Sequence, residues 1–158
     1  MLHLTKLSFL LYLFTLTCIV DAKSITEQDV HELIQSVDTA IEARDAEAIG
    51  AVLGDDVDIT LNINIQGQKQ VLKPGKQEYL QMLRDNWKLG TNYTYLRSNI
   101  KIRLLDSKAL VAADIFESIS MQGHKISSDS KEEILVEWIQ GKARITQVTG
   151  YSGHIDSH

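Results

Sequence analysis

Glu117 is the side chain with the clearest chemical potential in this sequence. It stands between Ile115 and Ile119 in the run Ala109–Met121, on the more apolar face that also carries Val111, Ala113 and Met121. A carboxyl desolvated by such neighbours has its pKa raised and can act as a general acid or base near neutrality. The same alternation allows a plainer role. If that face points outward, Glu117 pairs with Arg97, Lys101 or Arg103 of the preceding run. Asp114 is the mirror case, on the opposite face with Leu110, Ala112 and Phe116. Successive side chains of a strand point to opposite sides, so at most one of these two catalytic candidates can line a pocket.

Other chemistries find less support. Asp58 alternates with Ile59 and Leu61 and so groups with Thr60 and Asn62, on the solvent side of its run. His31 follows the apolar Val30 and reads as a surface residue; His124 falls in a turn. His154 to His158 lies in a terminal stretch without a third fixed ligand, so no metal site is expected. No serine–histidine–acid or cysteine–histidine grouping is assignable, no phosphate-loop glycine pattern occurs, and no cofactor is implied. Tyr79, Trp87 and Trp138 are the aromatics placed to touch a ligand, although large rings at such spacings also serve as core.

The elements that must position these groups follow from a change of period. Residues 25–53 and 75–88 carry apolar side chains at helical spacing. Val30, Leu33, Ile34, Val37 and Ile41 form one stripe on a first helix that starts at a hydroxyl cap near Thr26 and ends near Arg44. Asp45 caps a short second helix, ended by Gly54. Ile59, Leu61, Ile63 and Ile65 then mark a half-buried strand, turned by Gln66-Gly67 into a short one at 68–72. Lys73-Pro74-Gly75 starts a third helix with Tyr79, Leu80, Leu83 and Trp87 on one side.

From Tyr93 to Tyr151 the period becomes two, in four runs separated by short turns. In the first, Leu96, Ile100, Ile102 and Leu104 share one face, and Arg97, Asn99, Lys101 and Arg103 the other. The second, Ala109–Met121, is apolar on both faces, as expected of a central strand or a dimer contact. Asp129 to Glu133 reads as a solvated entry to the third, Ile134–Ile139. Helices followed by an antiparallel meander predict an α+β domain with helices on one face of a curved sheet.

Residues 1–22 are excluded from the fold. Lys6, the apolar run Leu7–Val20 and Val20-Asp21-Ala22 read as a secretory signal peptide, too short to span a bilayer core of about 30 Å. The expected organisation is a signal peptide at 1–22, one domain at 23–152 and a polar tail at 153–158. The product is then exported, to a periplasm or the extracellular space. The single cysteine, Cys18, leaves with the signal. The formal net charge of −5 is unchanged by cleavage, and the basic residues are scattered, which argues against a nucleic-acid partner. No second apolar segment offers a membrane span.

Three stretches carry a resemblance. Ala43 to Thr60 (ARDAEAIGAVLGDDVDIT), Lys73 to Leu83 (KPGKQEYLQML) and Ile134 to Ser152 (ILVEWIQGKARITQVTGYS) resemble the NTF2-like superfamily, especially its SnoaL-like and ketosteroid-isomerase-like branch. The resemblance covers residues 26–152 and implies a cone, a strongly curved sheet wrapped around helices with a pocket at the wide end. It also implies a homodimer through the outer face of the sheet. The isomerases use a first-strand carboxylate base with a tyrosine and a protonated acid as oxyanion hole. Here the first helix has no tyrosine, and the base position holds Thr60, Leu61 or Asn62. The expectation is an exported binder of a small apolar molecule, without catalysis. The alternatives are an isomerase or lyase using Glu117 or Asp114, and a protein-interaction module of the cell envelope.

Overall fold

The computed structural model describes residues 24–65 and 68–157. The signal-peptide reading and the Gln66-Gly67 turn lie outside the described residues. Helix α1 (Glu27–Glu42) begins in a capping box: the Thr26 hydroxyl accepts from the Asp29 N–H at 3.2 Å, and the Thr26 N–H donates to the Asp29 carboxylate at 3.0 Å. Val30, Leu33, Ile34, Val37 and Ala40 form its buried stripe. Arg44 turns the chain in the left-handed region (φ 56°), and Asp45 caps α2 (Ala46–Val52) by accepting from the Ala48 N–H at 2.9 Å. The chain passes directly into β1 (Leu53–Ile65), so Gly54 lies in the strand and α2 ends at Val52. A short β2 (Gln68–Leu72) and helix α3 (Lys76–Lys88) follow, then β3 (Thr91–Leu105), β4 (Lys108–Met121), β5 (His124–Ile139) and β6 (Lys142–Ser157).

The six strands form one curved, unclosed sheet in the order β2-β1-β6-β5-β4-β3. All neighbours are antiparallel except β1 and β6, which run parallel. Positive φ at Gln122 and Gly123 (50° and 85°) and at Gln140 and Gly141 (49° and 78°) makes tight hairpin turns, the geometry that fits the twist of the strands. The helices lie on the concave face. Between them Val30, Ile59, Val111 and Val136 are almost wholly buried and anchor the core. Gly90 lets α3 return onto the sheet: a Cβ there would lie 2.3 Å from the Ser120 carbonyl oxygen.

Three expectations are corrected. β5 begins at His124, ten residues before the expected Ile134, so Asp129 to Glu133 lies inside the sheet and is not a solvated entry. The stretch 153–157 is no free tail, because the backbone of β6 pairs with β5 as far as Ser157 opposite Ile126. The faces of β3 also differ from simple alternation. Its register shifts between Ser98 and Lys101, where Asn99 adopts φ 52°. Such a bulge exchanges the faces of a strand along its length. Before it Tyr93, Tyr95 and Arg97 point inward and Leu96 is 57% exposed; after it Ile102 packs on the core.

Ile59, 1% exposed at the centre of this core, is the side chain whose truncation should be felt most directly. Ile59→Ala is expected to cost about 2–5 kcal/mol of unfolding free energy, measured as a lower urea midpoint at unchanged slope.

Candidate functional site

Between α3 and the concave face lies a cavity of ≈ 360 Å³. Tyr79, Leu83 and Trp87 form its helical wall; Tyr93 and Tyr95 of β3, Glu117 and Ile119 of β4, and Ser128, Ser130 and Glu132 of β5 form the sheet wall. Ile41, Leu61 and Met121 add apolar surface to a lining that also carries several serines, two carboxylates and three tyrosines, the mixed composition of a small-molecule site. Trp87 and Tyr93 meet edge to face, with ring centroids 6.5 Å apart at 69°.

The polar groups of this wall are of two kinds. Glu117 accepts a hydrogen bond from the Tyr93 hydroxyl and has no cation as ion-pair partner among the described residues. Glu132 is bound to Arg97, whose Nε also donates to Asp38 of α1 at 2.8 Å. The Arg97 side chain is 2% exposed, and its guanidinium carbon stands 5.8 Å from the centre of the Tyr95 ring. Burial pulls the guanidinium pKa down, but the carboxylates of Glu132 and Asp38 outweigh burial and hold it above the ordinary arginine value. Arg44, exposed, lies over the Tyr93 ring at 5.6 Å and donates to the Trp87 carbonyl at 3.3 Å, which fixes the end of α3 against β3.

The three tyrosines of the cavity are held in the phenol form. Burial raises the pKa of Tyr79, and the charges of Glu132 and Glu117 raise it further. Tyr93 is raised by burial, then by the charge of Glu117 and the hydrogen bond to it. Tyr95 is raised by burial against the opposing pull of Arg97, and its buried hydroxyl has no hydrogen-bond partner among the described residues. The site therefore combines a carboxylate, several phenolic donors and apolar walls.

The expected site residues separate cleanly. Glu117 stands on the concave face and lines the cavity with Tyr79 and Trp87. Asp114 is on the convex face, because Ile115 beside it packs inward, and it accepts from the Asn99 side chain at 2.7 Å. It is corrected as a pocket acid. Trp138 is corrected as a pocket wall. It faces inward but near the far end of β5, opposite Ala143 and packed on the core, about 20 Å along the strand from Glu132. Asp58 is exposed, as is His31, which lies 3.7 Å from Glu27. His158 and the side chain of His154 fall outside the described residues. Among the described residues no three histidine, cysteine, aspartate or glutamate side chains could hold a metal ion. Tyr93, Tyr95, Arg97 and Glu132 were not expected at the site. The signal for them is the spacing of Tyr93, Tyr95 and Arg97 in TNYTYLRSN, closed by an asparagine able to take positive φ.

No protein-family model matches the chain, and no curated protein matches it in sequence. Solved structures do match in three dimensions. An NTF2-like protein from Cytophaga hutchinsonii superposes with a TM-score of 0.63 at 15% identity, covering 82% of this chain and 100% of the other. The chain has the NTF2-like fold. A hexachlorocyclohexane dehydrochlorinase from Novosphingobium barchaimii shares this fold with a TM-score of 0.65 at 13% identity, over 84% of this chain and 94% of its own. A provisionally assigned scytalone dehydratase from Novosphingobium aromaticivorans does so at 0.68 and 11%, over 83% and 86%. At these identities the NTF2-like likeness is one of fold.

Two outcomes follow. Arg97→Met leaves Asp38 and Glu132 without their cation and is expected to cost about 3 kcal/mol, read from the urea midpoint. The second concerns pH. Tyr79, Tyr93 and Tyr95 have folded pKa values above the unfolded value of about 10. Their contribution to stability is thus complete below pH about 10 and lost as pH rises above it, because the unfolded chain then releases protons that the folded chain retains. Tyrosinate absorbance should show these three ionising together with alkaline unfolding; independent titration near pH 10 in the folded chain would contradict the buried assignment.

Proposed function

We propose that this NTF2-like chain binds a small, largely apolar molecule in its concave cavity without transforming it. The observation that carries the reading is the wall: tyrosine, tryptophan, leucine and isoleucine around a single carboxylate–phenol pair, Glu117 and Tyr93, with the Tyr95 hydroxyl unpartnered. Affinity comes from apolar surface removed from water, at about 25 cal/mol per Å², and the polar groups set the orientation. We further propose that the chain is exported, on the strength of Lys6 and the apolar run Leu7–Val20. A homodimer through the convex face is supported by Leu96 and Tyr151, which are 57% and 44% exposed there. Native mass spectrometry of protein purified from its exporting host tests all three. The expected spectrum shows a mature dimer carrying a reproducible extra mass. A clean apo mass at every charge state counts against a tightly held ligand.

A second reading has its own support. The Tyr93 hydroxyl orients Glu117, and two structures with this fold bear the names of a dehydrochlorinase and a dehydratase. In an elimination or isomerisation, Glu117 would take a proton from carbon while the Tyr79 or Tyr95 hydroxyl donates to the oxygen or leaving group. That reading predicts a Glu117→Gln variant with an unchanged unfolding midpoint that loses turnover by 10²-fold or more, as for general-base loss. Under the binding reading the same variant changes affinity alone.

A further inference from the structure

Resting on the binding reading, we propose that the molecule held in the cavity is a protonated organic amine, with its apolar body against the rings and its ammonium at Glu117. The inference comes from the balance of charge at the wall. Glu117 and Glu132 are the carboxylates that line the cavity, and Lys131 is the cation in its lining. Glu132 is already bound by Arg97. Lys131 is exposed, and its register position is opposite Asp114 on the convex face, so its charge is spent on solvent and on the outer side of the sheet. Arg44 is occupied by the Trp87 carbonyl and is outside the lining. Among the described residues Glu117 is left with one neutral donor, the Tyr93 hydroxyl.

A ligand that closes this space strips water from a carboxylate with no counter-charge. Burial of an uncompensated carboxylate is costly, and a second anion beside it would raise that cost. A neutral alcohol restores one hydrogen bond and no charge. An ammonium restores both, through charge-assisted bonds that are roughly twice as strong as neutral ones. The surrounding rings favour the same choice. Trp87, Tyr79, Tyr93 and Tyr95 line the cavity, and aromatic rings attract cations most strongly where water is excluded. Two guanidinium groups already lie over rings of this set, Arg44 over Tyr93 and Arg97 over Tyr95, both from outside the cavity lining.

The test is calorimetric titration of the folded protein at pH 7 with three rigid probes of equal shape: 1-adamantylamine, 1-adamantanol and adamantane-1-carboxylate. The amine is expected to bind about tenfold or more tightly than the alcohol, and the carboxylate more weakly than the alcohol. Glu117→Gln should abolish the preference for the amine, bringing the amine-to-alcohol affinity ratio to about one. Equal binding of amine and alcohol, or a preference that survives Glu117→Gln, overturns the amine assignment and leaves the apolar pocket standing. Failure of all three probes to bind overturns the pocket reading itself, and the amine assignment with it. Should Glu117→Gln not fold, the amine-to-alcohol ratio of the unaltered protein decides the question alone.

Discussion

The geometry of this cone rests on the buried guanidinium of Arg97. It is carried by the edge strand β3, and it grips Asp38 of α1 with one nitrogen and Glu132 of β5 with another. A planar fork can satisfy two carboxylates at once only in one orientation, so the bond fixes where α1 crosses the sheet and how far β3 curls toward it. A buried charge set of this kind does not stabilise strongly beyond what a packed apolar core would, since desolvation offsets most of the attraction. Its contribution is to geometry. With Arg97 turned inward, the alternation of the strand turns Tyr95 and Tyr93 inward as well, and these two rings are the β3 part of the cavity's sheet-side wall.

The bulge at Asn99 makes that orientation compatible with a core on the other half of the same strand. Ahead of it the odd-numbered residues face the helices; beyond it Ile102 does. Without the extra residue, either Arg97 would point to solvent or Ile102 would, and the cone would lose its wall or its core. Asn99 tolerates the positive φ that the bulge needs, and its side chain then reaches Asp114 on the convex side. That hydrogen bond occupies the acid that sequence alternation offered as the rival to Glu117.

This also explains how far the sequence could be read. Helix starts at Thr26 and Asp45, the strands with clean alternation, and the hairpin turns at Gln122-Gly123 and Gln140-Gly141 depend on local chemistry, and local chemistry is written in the residues. The class of fold and the placement of Glu117 with Ile115 on one face were legible for that reason. The extent of β5 and β6 was not, because Ser127 to Glu133 has the composition of a loop and is held as strand by partners distant in sequence, Phe116 and Glu117 among them. Arg97 and Glu132 look like surface charges one at a time. Their burial exists only as a pair across two strands, and the bulge that brings them together leaves a signal no stronger than one asparagine.

The Tyr95 hydroxyl is the strongest sign that this cavity was not shaped for stability. A buried donor without a partner costs about 1–3 kcal/mol, and phenylalanine would fill the same space without that cost. The neighbouring Tyr79 phenol is likewise buried close to two carboxylates, where its ionised form is doubly disfavoured. Three tyrosines kept in the phenol form line one cavity with a carboxylate beside them, and one of the hydroxyls is spent on that carboxylate. Local rules of packing are broken at this place and kept elsewhere in the cone. Such a concentration of broken local rules is the pattern expected where residues are placed for a site and not for the core alone.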